Sequence, residues 1–268
     1  KAKDSYGVES GWSAGHEIEV SEGYHDNETI LLESEVSRMI SVPFTLDNPS
    51  PDQVLVDDLG LQDDSRWRLH RWNTDTGSYN EYPNVDNFSP GRSFWIISEA
   101  TNTVDTGPGV DVSTDSYFAI SLVTGWNQIA DPFPFPVNWG EVKVRRNGEI
   151  VGIGEAQAKG WMRDTVWVWN NGSHTYYKAP DGQLIPYDGC WAKALVDCEL
   201  LIPPTEAQST QLTEGFLKSK KGFIQIKAKA EGLEDSHNFL GFSDTAQDGY
   251  DGLDVEEAPS LAPYVSLS

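Results

Sequence analysis

Four groups of residues in this chain have the types and spacing to do chemistry. The first is Gly11-Trp12-Ser13-Ala14-Gly15, which matches the G-x-S-x-G turn that presents a nucleophilic serine. That turn works between a hydrophobic strand and a helix, which hold the serine in a strained conformation. Here polar residues 1–10 precede it and the alternating stretch Glu17 to Val20 follows, so Ser13 reads as part of a glycine-rich turn. The second group is the histidines, His16, His25, His70, His174 and His237, which show no metal-ligand spacing such as H-E-x-x-H. Each reads as a surface or packing residue. Carboxylates number 42, enough that some pair reaches glycosidase separation by chance, so their abundance is no sign of two-carboxylate hydrolysis. The chain is read as a non-enzyme.

The third group lies in the run from Asp244 to Asp254, where Asp244, Asp248, Asp251 and Asp254 sit on a loop with Gly249 and Gly252. Hard oxygen ligands on a flexible loop suit Ca²⁺. The acidic spacing of an EF-hand is absent, and a solvated acidic loop is the competing reading. Calcium is the one cofactor the sequence raises. The fourth group is aromatic, with ten Trp and ten Tyr. Exposed flat rings stack on sugar faces while carboxylates and amides bond the hydroxyls. Trp72 with Trp169, and Trp95 with Trp191, recur at equivalent places in an internal repeat, which assigns them to a shared core. The unrepeated Trp12, Trp67, Trp161 and Tyr250 remain as the candidate ligand platform.

The elements that position these residues come from that repeat, in which a stretch near residues 39–107 recurs roughly 90 positions later. Ile40-Ser41-Val42-Pro43-Phe44 matches Ile129-Ala130-Asp131-Pro132-Phe133, each an apolar strand stopped by proline. A helix start follows in both. Ser50 caps the first, with Pro51 at the first helical position, Gln53 completing a capping box and Gly60 at the end; Asn138 and Glu141 mark the second. Next come the alternating strands Trp67 to Asn73 and Thr165 to Asn170, each running into a glycine turn. Last, Pro90-Gly91-Arg92-Ser93-Phe94-Trp95 matches Pro186-Tyr187-Asp188-Gly189-Cys190-Trp191. Cys190 in the place of Phe94 reads as a small buried hydrophobe rather than a nucleophile. If residues 190–195 and 198–202 form a hairpin turning at Val196 and Asp197, a Cys190–Cys198 disulfide would be strained, and the pairing stays open.

These features predict an all-β protein of tandem sandwich-like β domains, with antiparallel sheets and two short helices. The expected division is an N-terminal β segment over 1–36, repeats over 37–115 and 116–205, and a C-terminal β segment with the acidic loop over 206–268. Within the last, Gly222 to Ala230 and Tyr264 to Leu267 are strand candidates, and the first and last segments are candidates to pair with one another.

The set Arg38-Met39-Ile40-Ser41-Val42-Pro43, Trp67-Arg68-Leu69, Pro90 to Trp95, Asp105-Thr106-Gly107 and Gly125-Trp126-Asn127-Gln128-Ile129 resembles a β-rich repeated module. Such modules lie near the C-terminal ends of large secreted and cell-surface proteins of Bacteroidetes-like bacteria. The tail from His237 to Leu267 is similar to the segment that follows there. The resemblance implies an extracellular, non-catalytic accessory region.

Composition agrees with that setting. The formal charge is −23, which repels a phosphate backbone and argues against nucleic acid as a partner. It suits salty or calcium-containing water, where ions screen self-repulsion. No apolar run approaches 18 residues, so no transmembrane helix is expected. A chain opening at Lys1 is read as a trimmed form of something longer. The expected function is a non-enzymatic structural or adhesive module of the extracellular surface, associating with itself or its neighbours through edge strands, Tyr264 to Leu267 among them. The alternative is a carbohydrate-binding module of a secreted hydrolase, with polysaccharide as partner.

Overall fold

A computed structural model of the chain describes residues 23–25, 28–170, 173–178, 181–207, 223–230, 233–242, 244–248, 254, 256–259 and 261. The first part runs through β1 (Tyr24–His25), β2 (Thr29–Leu32), β3 (Arg38–Ser41), β4 (Phe44–Leu46), α1 (Pro51–Leu59), β5 (Trp67–Asn73), β6 (Ser78–Glu81), β7 (Ser93–Ser98), β8 (Asn102–Asp105) and β9 (Gly109–Asp111). The second holds β10 (Phe118–Leu122), β11 (Gly125–Ala130), β12 (Val137–Asn138), β13 (Lys143–Arg146), β14 (Glu149–Gly152), α2 (Ile153–Ala158), β15 (Met162–Asn170), β16 (Ser173–Lys178), β17 (Gln183–Leu184), β18 (Gly189–Ala194) and β19 (Cys198–Ile202). A hairpin of β20 (Phe223–Ala230) and β21 (Leu233–Gly241) follows. The protein is all-β and sandwich-like, with antiparallel sheets and two α-helices among the described residues. No helix among them is long and apolar enough to cross a membrane.

The repeat is written into the topology. One four-stranded sheet has the order β3-β7-β5-β6, and its counterpart has the order β11-β18-β15-β16. Around each, the strand before the first pairs antiparallel with the strand after the last, β2 with β8 and β10 with β19. The strand Thr29–Leu32 therefore brings Ile30 and Leu32 into the core of the first repeat. The second repeat extends β10-β19 with β13 and β14.

Strand periodicity then sorts the side chains, because successive residues point to opposite faces. In β7, Phe94 and Ile96 enter the first core while Trp95 points away from it. In β18, Cys190, Ala192 and Ala194 enter the second core while Trp191 points away. In β5, Trp67 and Leu69 share one parity and pack inward; Trp72 has the other. Each repeat thus buries its own core, and the outer faces carry a third cluster made of Met39, Trp95, Trp167, Trp191 and Ala258.

The two expected helices come out differently. α1 begins as its sequence specifies, with the Ser50 hydroxyl accepting from the Gln53 amide at 3.4 Å and Gly60 closing it at φ 77°. At the equivalent place in the second repeat, Trp139–Glu141 makes one 3₁₀ turn, and the Asn138 side chain caps nothing. Gly140 lowers the helical tendency there, and fully buried Trp139 anchors the turn by donating its indole N–H to the Asp164 carbonyl at 2.7 Å. The second α-helix is α2, further along. The hairpin expected across Val196 and Asp197 does not form either: β18 pairs with β11 and β15, whereas β19 pairs with β10 and β13. Cys190 and Cys198 are both free and buried, and burial pushes the Cys190 thiol well up.

Candidate functional site

The outer faces of the two repeats meet, and they meet reciprocally. Ile40 of β3 bridges Asp188 just before β18, and its equivalent Ile129 of β11 bridges Arg92 just before β7. The Ser41 amide donates to the Tyr187 carbonyl at 3.0 Å, and the equivalent Ala130 amide donates to the Gly91 carbonyl at 3.0 Å. The aromatic contacts repeat the exchange. Trp95 stands edge-to-face on Trp169 at 5.0 Å, and Trp191 stands edge-to-face on Trp72 at 5.7 Å. This is the geometry of an isologous dimer interface built inside one chain. Equivalent residues Ser93 and Gly189 lie opposite each other at its centre. A Cβ on Gly189 would fall 2.4 Å from the Ser93 Cβ, so one of the two must be glycine.

Polar groups hold the joint in register. The Arg71 guanidinium donates from Nη1 to the Ser93 carbonyl at 2.7 Å and to the Gln128 carbonyl at 2.6 Å, across the two repeats. Burial, with Arg92 nearby, pulls Arg71 down to about 10, so it stays charged at neutral pH. The Gln128 side chain accepts from the Trp72 amide at 2.8 Å. The Trp169 indole donates to the Ser37 carbonyl at 2.8 Å, and Thr74 donates to the Trp126 carbonyl at 2.7 Å.

A segment near the end of the described chain lies across this face. Glu256 makes an ion pair with Lys193, whose ammonium also sits 5.3 Å above the Trp126 ring. Ala258 is 5% exposed among the tryptophans. The Tyr79 hydroxyl donates to the Pro259 carbonyl at 3.1 Å, and burial pushes that hydroxyl upward from its ordinary value. Leu261 packs on the cluster and lines a cavity of about 580 Å³ together with Trp67, His70, Tyr79 and Ile97. Lys193 belongs to the second repeat and Tyr79 to the first. A cation, a hydroxyl donor and an apolar floor together form a surface suited to an extended acidic-apolar peptide.

The residues singled out by sequence fall elsewhere. Trp67 is 2% exposed and donates its indole N–H to the Gly60 carbonyl at 3.1 Å. Trp161 is 8% exposed in the second core, beneath the Lys159 ammonium at 5.5 Å. Both rings are buried in the cores of their repeats, which corrects them from exposed platform to core. Trp12, Ser13, Tyr250 and the strand candidates Glu17 to Val20 and Tyr264 to Leu267 lie outside the described residues. Of the calcium candidates, Asp244, Asp248 and Asp254 are exposed and Asp251 lies outside the described residues. Among the described residues no three His, Cys, Asp or Glu side chains gather as metal ligands would.

The joint itself was half visible in the repeated tryptophans. Lys193 and Tyr79 were missed, although β18 parity places Lys193 on the face of Trp191. Asp131 was also missed as a site of chemistry. It is 1% exposed, and its Oδ1 accepts from the Phe133 amide at 3.0 Å. Comparison with family models, with curated proteins and with solved structures finds nothing that matches this chain.

Proposed function

We propose that this protein is a non-enzymatic structural or adhesive module of the extracellular surface, working by packing and edge pairing. One observation carries the reading: the aromatic faces of both repeats are spent on joining the repeats, while outer strands have a free edge among the described residues. Strand β14 has only β13 as a neighbour and β6 has only β5 among the described residues. Ile150 on β14 is 51% exposed. Open antiparallel edges accept further strands through main-chain hydrogen bonds. The acidic surface, the Bacteroidetes-like resemblance and the repeat architecture suit a piece of a large surface protein or a subunit of a surface assembly.

Light scattering over a concentration series, with and without millimolar calcium, tests the proposal. Mass growing beyond the 29.7 kDa of one chain, and falling back in Ile150→Lys, supports edge association. A single-chain mass throughout sinks it. The carbohydrate-binding alternative has lost Trp67 and Trp161 from its platform, and no observation favours it.

A further inference from the structure

The segment from Glu256 to Leu261 is held, at its described residues 256–259 and 261, as a peptide ligand is held. Its described residues belong to no helix or strand, so no backbone ladder fixes them. Their anchors are side-chain sites: Lys193 for Glu256, the tryptophan floor for Ala258 and Leu261, and the Tyr79 hydroxyl for the Pro259 carbonyl. Because these anchors are divided between the repeats, the groove exists only where the repeats join. An alanine at the tightest point leaves room for the indoles around it, and a proline after it limits the segment to extended conformations.

We propose that the joined aromatic face is a peptide groove for an acidic-x-Ala-Pro-x-Leu segment, and that a second copy of this chain supplies that segment in exchange for the groove's own. Every copy carries the ligand, so exchange preserves every contact and needs no new surface. Fourteen residues, 242–255, connect Gly241 to Glu256, and a chain of that length spans up to about 45 to 50 Å when extended. That reach suffices to deliver the segment to an adjoining molecule. Cis and trans seating then differ mainly in effective concentration, which crowding on a surface shifts toward trans. Net charge −23 opposes close approach of two copies, so the exchanged form grows as salt rises. The inference stands on the segment's contacts and goes beyond the edge-pairing proposal.

A charge swap in the full chain tests it. K193E and E256K each place like charges at the Glu256 anchor in cis. In a mixed exchanged dimer both grooves see opposite charges again. Sedimentation velocity at about 50 μM protein and 0.3 M salt is expected to show a species of twice the single-chain mass in the mixture, at least about tenfold tighter than either variant alone, since like charges are strongly disfavoured at an interface. The double variant K193E/E256K is expected to behave as the parent. Both substitutions lie at a partly exposed ion pair, and near-UV circular dichroism checks that each variant keeps its tertiary packing. If the mixture equals the sum of its components at every concentration, the segment seats only in cis and the proposal is overturned. Adding Ile150→Lys to both chains leaves the exchanged dimer intact, which separates it from edge association.

Discussion

The two repeats share a strand order but fill equivalent positions with different chemistry. Val42 is fully buried in the first; Asp131 occupies the same place in the second and is as deeply buried. Phe94 is answered by Cys190, and Ser93 by Gly189. At the turn before β7, Gly91 takes φ 78°, and at the turn before β18, Tyr187 takes φ 66°. A Cβ at Gly91 would strike Phe118 and Ile120 at 2.9 Å, whereas the Tyr187 ring packs against the first core. Backbone geometry is conserved between the repeats because the reciprocal amide bonds require it. Side chains are free to differ wherever the opposite repeat supplies the complementary shape.

The sharpest way to break the comparison is at the centre of the joint. Gly189→Val drives a branched side chain into the Ser93 side chain and the Met39 Cβ and is expected to destabilise by about 3 kcal/mol or more, as overpacking does; the reverse-sized change Ser93→Gly is expected to be far milder. Chemical denaturation of both variants measures the contrast. Trp191→Ala and Trp95→Ala, at equivalent positions, are each expected to remove about 3 to 5 kcal/mol. Unequal losses would show that the joint is less symmetric than its contacts. Trp67→Ala is expected to fall in the same range, as a core truncation.

The Val42 and Asp131 pair separates the repeats by pH. Burial raises the Asp131 carboxyl to about 8, with the amides of Phe133 and Val137 opposing. Its folded-state value lies above its unfolded one, near 3.8. The native state therefore holds a proton that the unfolded chain releases. The contribution is fully present below about pH 4 and is lost as pH rises through about 8, at about 1.4 kcal/mol per unit of difference. Asp131→Val, copying the first repeat, is expected to flatten this part of the stability profile between pH 4 and 8 and to raise stability at pH 8 by up to several kcal/mol. Thermal melts across that range give the answer, and parallel slopes for the parent and the variant would refute it.

The smallest effect compares the helix starts. Ser50→Ala removes a cap and is expected to lower stability by about 1 kcal/mol, whereas Asn138→Ala, which removes no capping bond, is expected to change it by less than half as much. A larger loss at Asn138 would show that its contacts with Glu141 and Gln183 matter more than capping.

Much of the fold is legible in the amino-acid sequence. Period-two alternation marked the strands, Ser50-Pro51 and Gly60 bounded α1, and the recurrence of Trp72 and Trp95 as Trp169 and Trp191 assigned those rings to a shared core. The site was legible only in part. Trp67 passed for a surface ring because it lacked a repeat partner, although its parity with Leu69 assigns it inward. The β18-to-β19 crossing was hidden because a short polar link between two apolar strands fits a hairpin as well as a passage between sheets. The acidic loop from Asp244 to Asp254 drew attention by composition, yet its described carboxylates stand exposed.

Taken by itself, the amino-acid sequence determined the all-β class, the duplication, the capped helix and the acidic character, since each depends on periodicity, local backbone preference or summed charge. Tertiary structure alone decided that the tryptophans form a reciprocal joint rather than two separate cores, that Ser93 and Gly189 meet at its centre, and that residues 256–259 and 261 lie on it. Those outcomes depend on which faces meet across roughly a hundred residues of chain, and no local pattern encodes that choice.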